Sequence, residues 1–403
     1  MKRVSAVVTM ALGAALCMAA HAGSWQFSPP IPVTASEGET LFHHLESSGR
    51  RSIAVSNTEV AVTWEDDRDG TPRVYLARKR FDEEHFREAL LTPDAEAYEP
   101  TVAALPDGRF LVAWEQDARI WARVNDNAAA QLSEHEGAQA SLLAAPDGAV
   151  LVFAERAGRY PRIVMRHLVA DAAGTLTATP ACAIDPVEPI DEQLYPGAAW
   201  SGDRLVVAWE DRRPKHTIIM AAAATGDCTF TPPQRISLRP KGNGARDLPF
   251  GTGHGVARVA LHAYGDDRVF AAWDDKRNFR HGYDVWGADI DPVTGQFGEN
   301  VQVQDDFGEL AAQWHISVAG APDGTLVVSW DDGREGNADI MLSWREDGEW
   351  SDDTPLPGAS GEGEQAHASI VLDAEGRLHA AWVERDDPDG PTRLRYTVGT
   401  PAP

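Results

Sequence analysis

One short pattern is written seven times along this chain, and nothing else in the sequence restricts the fold as strongly. The clearest copies run from a tight turn through alternating apolar residues to a tryptophan and acidic residues. They read LPDGRFLVAWEQ at 105–116, SGDRLVVAWEDRR at 201–213, APDGTLVVSWDDGR at 321–334 and AEGRLHAAWVER at 374–385. SNTEVAVTWEDDR at 56–68 and YGDDRVFAAWDDKR at 264–277 add two more. The weakest, APDGAVLVFAER at 145–156, aligns Ala154 with the tryptophans. The aligned positions are Trp64, Trp114, Ala154, Trp209, Trp273, Trp330 and Trp382, spaced by 40 to 64 residues. That spacing suits a four-stranded propeller blade and is too long for a solenoid turn.

Each copy divides in the same way. A short strand such as Thr101-Val102-Ala103-Ala104 leads to an Asp-Gly turn, where glycine accepts the positive φ of a hairpin. The second strand alternates with period two into the tryptophan. A polar loop, a third strand (Arg73-Val74-Tyr75-Leu76-Ala77-Arg78, for example) and a short outer strand complete the copy. Helical periodicity is absent. The seventh copy has three strands and no fourth, while GSWQFSPPIPVT at 23–34 mimics the fourth strand of copy six, GEWSDDTPLPGA at 348–359. A strand missing at one end and spare at the other implies a ring that leaves no open sheet edge. The expected fold is an all-β, seven-bladed β-propeller whose N-terminal strand closes the last blade. Six blades is the alternative if copy three does not form one.

Lys2 and Arg3, the apolar run Val7 to Ala20, and Ala20-His21-Ala22 have the layout of a cleaved export signal. Residues 1–22 are therefore read as a signal peptide and 23–403 as one propeller domain, periplasmic or secreted. No other stretch is long and apolar enough to span a bilayer. Cys182 and Cys228 then remain, and an oxidising compartment predicts a disulfide between them, with two free thiols as the alternative. Losing Lys2 and Arg3 takes the formal charge from −26 to about −28. Such a surface repels nucleic acid and anionic membranes but still permits a local cationic cluster to hold an anion. The mature protein is expected to be a monomer whose partner is a glycan or another envelope component.

After the tryptophan, four copies share Trp-[Asp/Glu]-Asp-x-Arg, giving Asp66 with Arg68, Asp211 with Arg213, Asp275 with Arg277 and Asp332 with Arg334. These carboxylates could bind a structural calcium or a sugar. A motif that recurs around a ring serves the scaffold more readily than a site that occurs once, so each Asp is expected to cap loop amides, pair with its Arg and fix neighbouring blades. The repeated tryptophans are expected to pack blades.

The differences between copies point to a site. Loops leading into the first strands share one face of a propeller with the loops between strands two and three, and binding groups sit around that channel mouth. Two residues before Thr101 stands Glu99, with Arg50, Gln139, Leu194, Arg258, His315 and His367 as equivalents. The Thr101 position itself holds Ser52, Ser141, Pro196, Ala260, Ser317 and Ser369, small enough for a crowded inner rim. His43 and His44, Arg51, Tyr98, Tyr195, Trp314 and the loop RDLPFGTGHG at 246–255, with His254, enrich the same face. His254, His315, Arg258 and Arg50 are the candidates for catalysis. His44, Arg51, Tyr98, Glu99, Tyr195, Trp314 and His367 are candidates for ligand binding. Arginines could clamp a carboxylate or sulfate, histidine or tyrosine could move a proton, and aromatic rings could stack on a sugar. Three histidines could hold a transition metal. No metal ligand set is assigned and no organic cofactor is expected, because metalloprotease, nucleophile-elbow, Walker and dinucleotide motifs are all missing.

The repeating Trp-[Asp/Glu]-Asp-x-Arg propeller behind a signal peptide resembles secreted bacterial proteins of the sialidase-like, BNR-repeat superfamily across the mature chain. That resemblance implies an arginine cluster, to which Arg50 or Arg51 and Arg258 could belong. The chain departs from the sialidase pattern: Gly49-Arg50-Arg51-Ser52-Ile53 lacks the aromatic and proline of Phe/Tyr-Arg-Ile-Pro, and no Ser-x-Asp-x-Gly-x-Thr-Trp box occurs. Seven-bladed polysaccharide lyases use a similar set of His, Tyr and Arg. Two functions follow as expectations. One is binding or cleavage of an acidic glycan at the mouth, by a glycoside hydrolase or polysaccharide lyase if catalytic. The other is a non-catalytic scaffold for a protein or envelope component, which a broad exposed apolar patch would favour.

Overall fold

A computed structural model of the protein describes residues 25–36, 38, 41–45, 49–238, 255–277, 282–308 and 310–402. Seven antiparallel sheets follow one another around a ring, one per sequence copy. Blade 2 shows the plan, with Tyr98–Ala104 innermost, then Phe110–Gln116, Arg119–Val124 and the outer Ala130–Gln131. Blade 7 takes its outer strand from the other end of the chain. Trp25–Phe27 pairs with residues 399–401, and Ile31–Pro32 pairs with Arg395 and Tyr396. The Trp25 indole donates to the Gly376 carbonyl at 2.9 Å and meets Trp344 edge-on, so the closing strand is held by side chains as well as by its ladder. Seven blades and N-terminal closure are as the repeats predict.

The apolar core lies between blades. It divides into seven clusters, each shared by two neighbours. Trp209 of blade 4 packs on Val150, Val152 and Ile163 of blade 3, and Trp114 of blade 2 packs on Val74 and Leu76 of blade 1. All six repeat tryptophans are fully buried. In blade 3 the structure moves the alignment by one residue. Its first hairpin is tighter, pairing Ala145 with Gly148, whereas Ala104 pairs with Phe110 in blade 2. The second strand therefore slides along, and Phe153 faces blade 2 at the tryptophan site. Ala154 points toward blade 4. Copy three keeps a large aromatic wedge, which is why it forms a blade.

The repeated acidic pair divides its labour. The second acid accepts the indole N–H two residues earlier: Trp64 to Asp66 at 2.8 Å, Trp209 to Asp211 at 3.2 Å, Trp273 to Asp275 at 2.9 Å and Trp330 to Asp332 at 3.0 Å. It also accepts the backbone amide and guanidinium of the arginine two residues later, as between Arg213 and Asp211. The expected role in fixing neighbouring blades holds for part of the set. Arg213 reaches Asp185 of the preceding blade, whereas Arg68 turns to Glu88 in its own. The second acid of each of these four copies is thus engaged by its own tryptophan and arginine, and that position carries structure.

Cys182, beside the outer edge of blade 3, is bonded to Cys228 in the outer hairpin of blade 4, closing 46 residues of chain. A loop of that length restrains the unfolded chain, so replacing both cysteines by serine should lower stability by about 3–4 kcal/mol. The urea midpoint of the double variant, compared with wild type at equal slope, measures this.

Candidate functional site

The inner strands share an irregularity that shapes the channel mouth. In blades 2 to 7 each carries a bulge one turn before the small inner-rim residue. The extra residue has positive φ without being glycine: Glu99 (57°), Gln139 (59°), Tyr195 (47°), Arg258 (51°), His315 (53°) and His367 (58°). Such conformations cost of order 1–3 kcal/mol and persist only where the surroundings enforce them. The enforcing contact comes from the first acid of the repeated pair. The amide of Glu99 donates to Glu65 at 2.6 Å, that of Arg258 to Glu210 at 2.9 Å, and that of His367 to both oxygens of Asp331 at 2.9 and 3.0 Å. Gln139 donates likewise to Glu115. Blade 3 has Ala154 at that position, and the Gln139 side chain substitutes, accepting the Tyr195 amide at 2.8 Å. The bulge also corrects the sequence alignment in blade 4, where Tyr195 and not Leu194 is the counterpart of Glu99, and Gly197 and not Pro196 occupies the inner rim.

Blade 1 replaces the bulge with an insertion that crosses the channel. His44 pairs with Glu65, and the chain returns to the rim only at Ser52. Gly49 lies against the Val259 and Pro196 carbonyls of blades 5 and 4, so close that a Cβ would fall 2.7 Å from the former. Its own carbonyl accepts the Ser141 hydroxyl of blade 3 at 2.6 Å. Arg51 follows, donating to the Ala198 and Leu261 carbonyls at 3.1 and 3.3 Å, with burial lowering its pKa to about 10. Residues 49–51 thus reach across the channel to blades 3, 4 and 5 and form a floor beneath the mouth. Arg51 belongs to that floor, its guanidinium held by backbone carbonyls of blades 4 and 5. Beside it, burial and the Arg51 charge hold His262 neutral, with its pKa lowered to about 4.

The mouth has two unlike halves. Across blades 1 to 3 the charges answer one another: buried Arg50 is paired with Glu99 and lies 3.8 Å from Glu115. Tyr98 points outward and donates to Glu96 at 2.9 Å. Arg50, Arg51 and Arg258 thus have different partners: Glu99, backbone carbonyls of blades 4 and 5, and the Tyr195 ring.

From blade 4 round to blade 1 the groups face the pocket. Arg258 lies over the Tyr195 ring at 3.4 Å, and Tyr283 packs against half-exposed Trp314 at 4.4 Å. His315 and His367, on adjacent bulges, stack with ring centres 3.8 Å apart, and His44 follows at 6.1 Å from His367. Asp331 lies 2.6 Å from His315 Nδ1. Among the described residues, His315, Asp331 and His367 are the one group of three that brings metal-capable donors within 4.8 Å of one another. Burial pushes the Asp274 carboxyl well above the usual carboxylate range, helped by Glu210 and Asp331 and opposed by His315 and Arg258. Burial, with the charges of Asp274, Glu210 and Asp275, raises Tyr283.

Of the residues expected from sequence, the structure gathers Arg258, Tyr195, Trp314, His315, His367 and His44 on one half. It places Arg50 and Glu99 in a pair of their own and Tyr98 at the margin. His254 lies outside the described residues. Asp274, Asp331 and Tyr283 were not foreseen. The two aspartates are the first acid of the repeated pair, whose recurrence reads as scaffold, and their neighbours alone distinguish them from Glu65.

No protein-family model matches the chain, and no curated protein matches it. Solved structures do. A protein of unknown function from Dyadobacter fermentans DSM 18053 superposes with a TM-score of 0.56 at 10% identity, over 94% of this chain and 99% of its own. The polysaccharide lyase Uly1 gives 0.54 at 10% identity, over 87% and 90%. The endosialidase of phage phi92 gives 0.50 at 9%, over 94% and 70%. At these identities the likeness is one of fold.

Two outcomes test this pocket. His262 binds a proton near pH 6.5 when unfolded and near pH 4 when folded, so the unfolded chain binds more protons between these values. Stability should therefore fall on the order of 2–3 kcal/mol from pH 7 to pH 4 on its account. His262→Gln should flatten that part of a urea-midpoint profile. Gly49→Ala meets both a positive φ and the Val259 carbonyl, and should cost about 1–3 kcal/mol by the same assay.

Proposed function

We propose that this is an exported glycan-directed propeller that binds, and in the fuller reading cleaves, an acidic carbohydrate in the mouth pocket between blades 4 and 1. One juxtaposition carries the reading. The Arg258 guanidinium, held flat on Tyr195, sits on the same half of the pocket as the Tyr283–Trp314 aromatic pair and the His315–Asp331 hydrogen bond. A guanidinium suits a sugar carboxylate, aromatic faces suit the apolar side of a pyranose, and the imidazole–carboxylate pair can accept or return a proton. Asp274, whose carboxyl burial pushes well above the usual carboxylate range, is the proton donor of this reading. The floor made by Gly49 and Arg51 restricts access to one side, as a chain end or an exposed loop of a polysaccharide requires.

The fold is shared with proteins described as a polysaccharide lyase and an endosialidase, which supports a carbohydrate without choosing the reaction. The disulfide suits an oxidising compartment, and among the described residues no helix is long and apolar enough to cross a membrane. Removal of residues 1–22, residence in the periplasm or medium, and action as a monomer complete the proposal. The scaffold alternative calls for a broad apolar patch. The most exposed apolar side chains fall instead on two loops, Val187 and Ile190 between blades 3 and 4, and Phe307 and Leu310 between blades 5 and 6.

Purified protein incubated with sialosides and uronate polymers should bind or turn over at least one, read as released sugar, new reducing ends or unsaturated uronate. Arg258→Ala should weaken binding at least about tenfold, and Asp274→Asn should lower kcat about 100-fold or more if a reaction is present. Unsaturated product means lyase and saturated product means hydrolase. Neither binding nor turnover across the panel, by a folded protein, would discard the reading.

A further inference from the structure

We propose that His315, Asp331 and His367 bind a divalent transition-metal ion at the pocket wall. The first support is geometric. One donor atom from each residue lies within 4.8 Å of the others, and tetrahedral donors around an ion at 2.0–2.2 Å stand about 3.3–3.6 Å apart. Side-chain rotation that draws the donors in by up to about 1.5 Å completes the set. The second is chemical. Two imidazoles and one carboxylate select zinc, cobalt, nickel, manganese or iron, whereas calcium and magnesium take oxygen donors.

The third support is the way the donors are mounted. His315 and His367 occupy the same bulge position of neighbouring blades 6 and 7, so the ring repeat places the two imidazoles side by side. Asp331 sits on the second strand of blade 6, between them, and fixes the backbone of His367 through both of its oxygens. All three therefore stand on paired strands and not on a loop. His315 Nδ1 already stands 2.6 Å from Asp331, and the His315 and His367 rings are 3.8 Å apart. Three protein donors leave at least one position open toward the pocket, the arrangement of an exchangeable site and not of a closed structural one. His44, with its ring 6.1 Å from that of His367, borders that open side.

Within the glycan reading, the open position takes a carboxylate oxygen of an acidic sugar beside Arg258. That assignment rests on the proposed function, while the presence of the ion does not. The test uses full-length mature protein without an affinity tag, stripped with a chelator and titrated with Co²⁺ alone. The expected result is one equivalent bound with a visible d–d absorption band. His315→Ala and His367→Ala should each weaken binding at least about tenfold, and His135→Ala, an exposed imidazole on another blade, should not. If one variant fails to fold, a rise in the melting temperature of the stripped wild type on adding Zn²⁺, lost in Asp331→Asn, reads the same site. Absence of stoichiometric binding, or equal binding by the His315 and His367 variants, overturns the proposal. Glycan binding that survives complete stripping overturns the ion's role in it and leaves the glycan reading standing. Stoichiometric Co²⁺ binding without any glycan binding supports the site and counts against the glycan reading.

Discussion

The amide of a bulge residue, donated to an acid of the preceding blade at Glu99, Gln139, Arg258 and His367 and to the Gln139 side chain at Tyr195, is the contact through which this ring becomes a site. It holds a non-glycine residue at positive φ, which turns that side chain to the mouth, and it ties one inner strand to the next sheet. The charge-assisted hydrogen bond offsets backbone strain that an isolated strand would relieve by straightening. Because the carboxylate belongs to the preceding blade, every projecting side chain is fixed by its neighbour. Rigidity at the mouth is thus a property of the closed ring. Closure by Trp25–Phe27 and burial of the six tryptophans bear on the site even though they lie far from it in sequence.

A repeated backbone device with unrepeated side chains separates scaffold from chemistry. The bulge and its carboxylate recur, whereas the projecting residue is Glu, Gln, Tyr, Arg, His and His in turn. Blades 2 and 3 spend theirs on the frame. Glu99 is paired with Arg50, and Gln139 supplies the acceptor that Ala154 cannot. Blades 4 to 7 spend theirs on the pocket, where Tyr195 carries Arg258 and His315 faces His367. The acids follow the same division. Glu65 and Glu115 serve amides in the first half, while Asp274 and Asp331 stand among imidazoles, a guanidinium and a phenol.

The ring was legible in the sequence because its tryptophans are spaced by whole blades and its two ends complement one another. Copy three misled by a single position, since a hairpin shortened by one residue shifts the strand and sends Phe153, not Ala154, to the wedge. Leu194 misled for the same reason: blade 4 also has the short hairpin, pairing Ser201 with Arg204, so counting back from Trp209 overshoots by one residue. Side-chain types at the mouth could be read from variation between copies, but their pairing could not. Arg50, Arg51 and Arg258 look alike in sequence, yet one answers a glutamate, one plugs the floor and one lies on tyrosine. Asp274 and Asp331 escaped because recurrence hides a position whose backbone task is common and whose surroundings are not.

The strongly negative formal charge of −26 does not oppose an anionic ligand in this pocket. Mobile ions screen exposed charges over about 8 Å at physiological ionic strength, so the outer carboxylates act weakly on a group inside the mouth. Near groups decide there. Arg258 places a guanidinium there, burial pushes the Asp274 carboxyl well above the usual carboxylate range, and Asp331 is engaged by His315 and the His367 amide. On the proposed function, an acidic exterior repels bulk polyanions and Arg258, beside the two imidazoles, meets only a segment that enters the mouth, so that access, and not attraction to the whole molecule, selects the ligand.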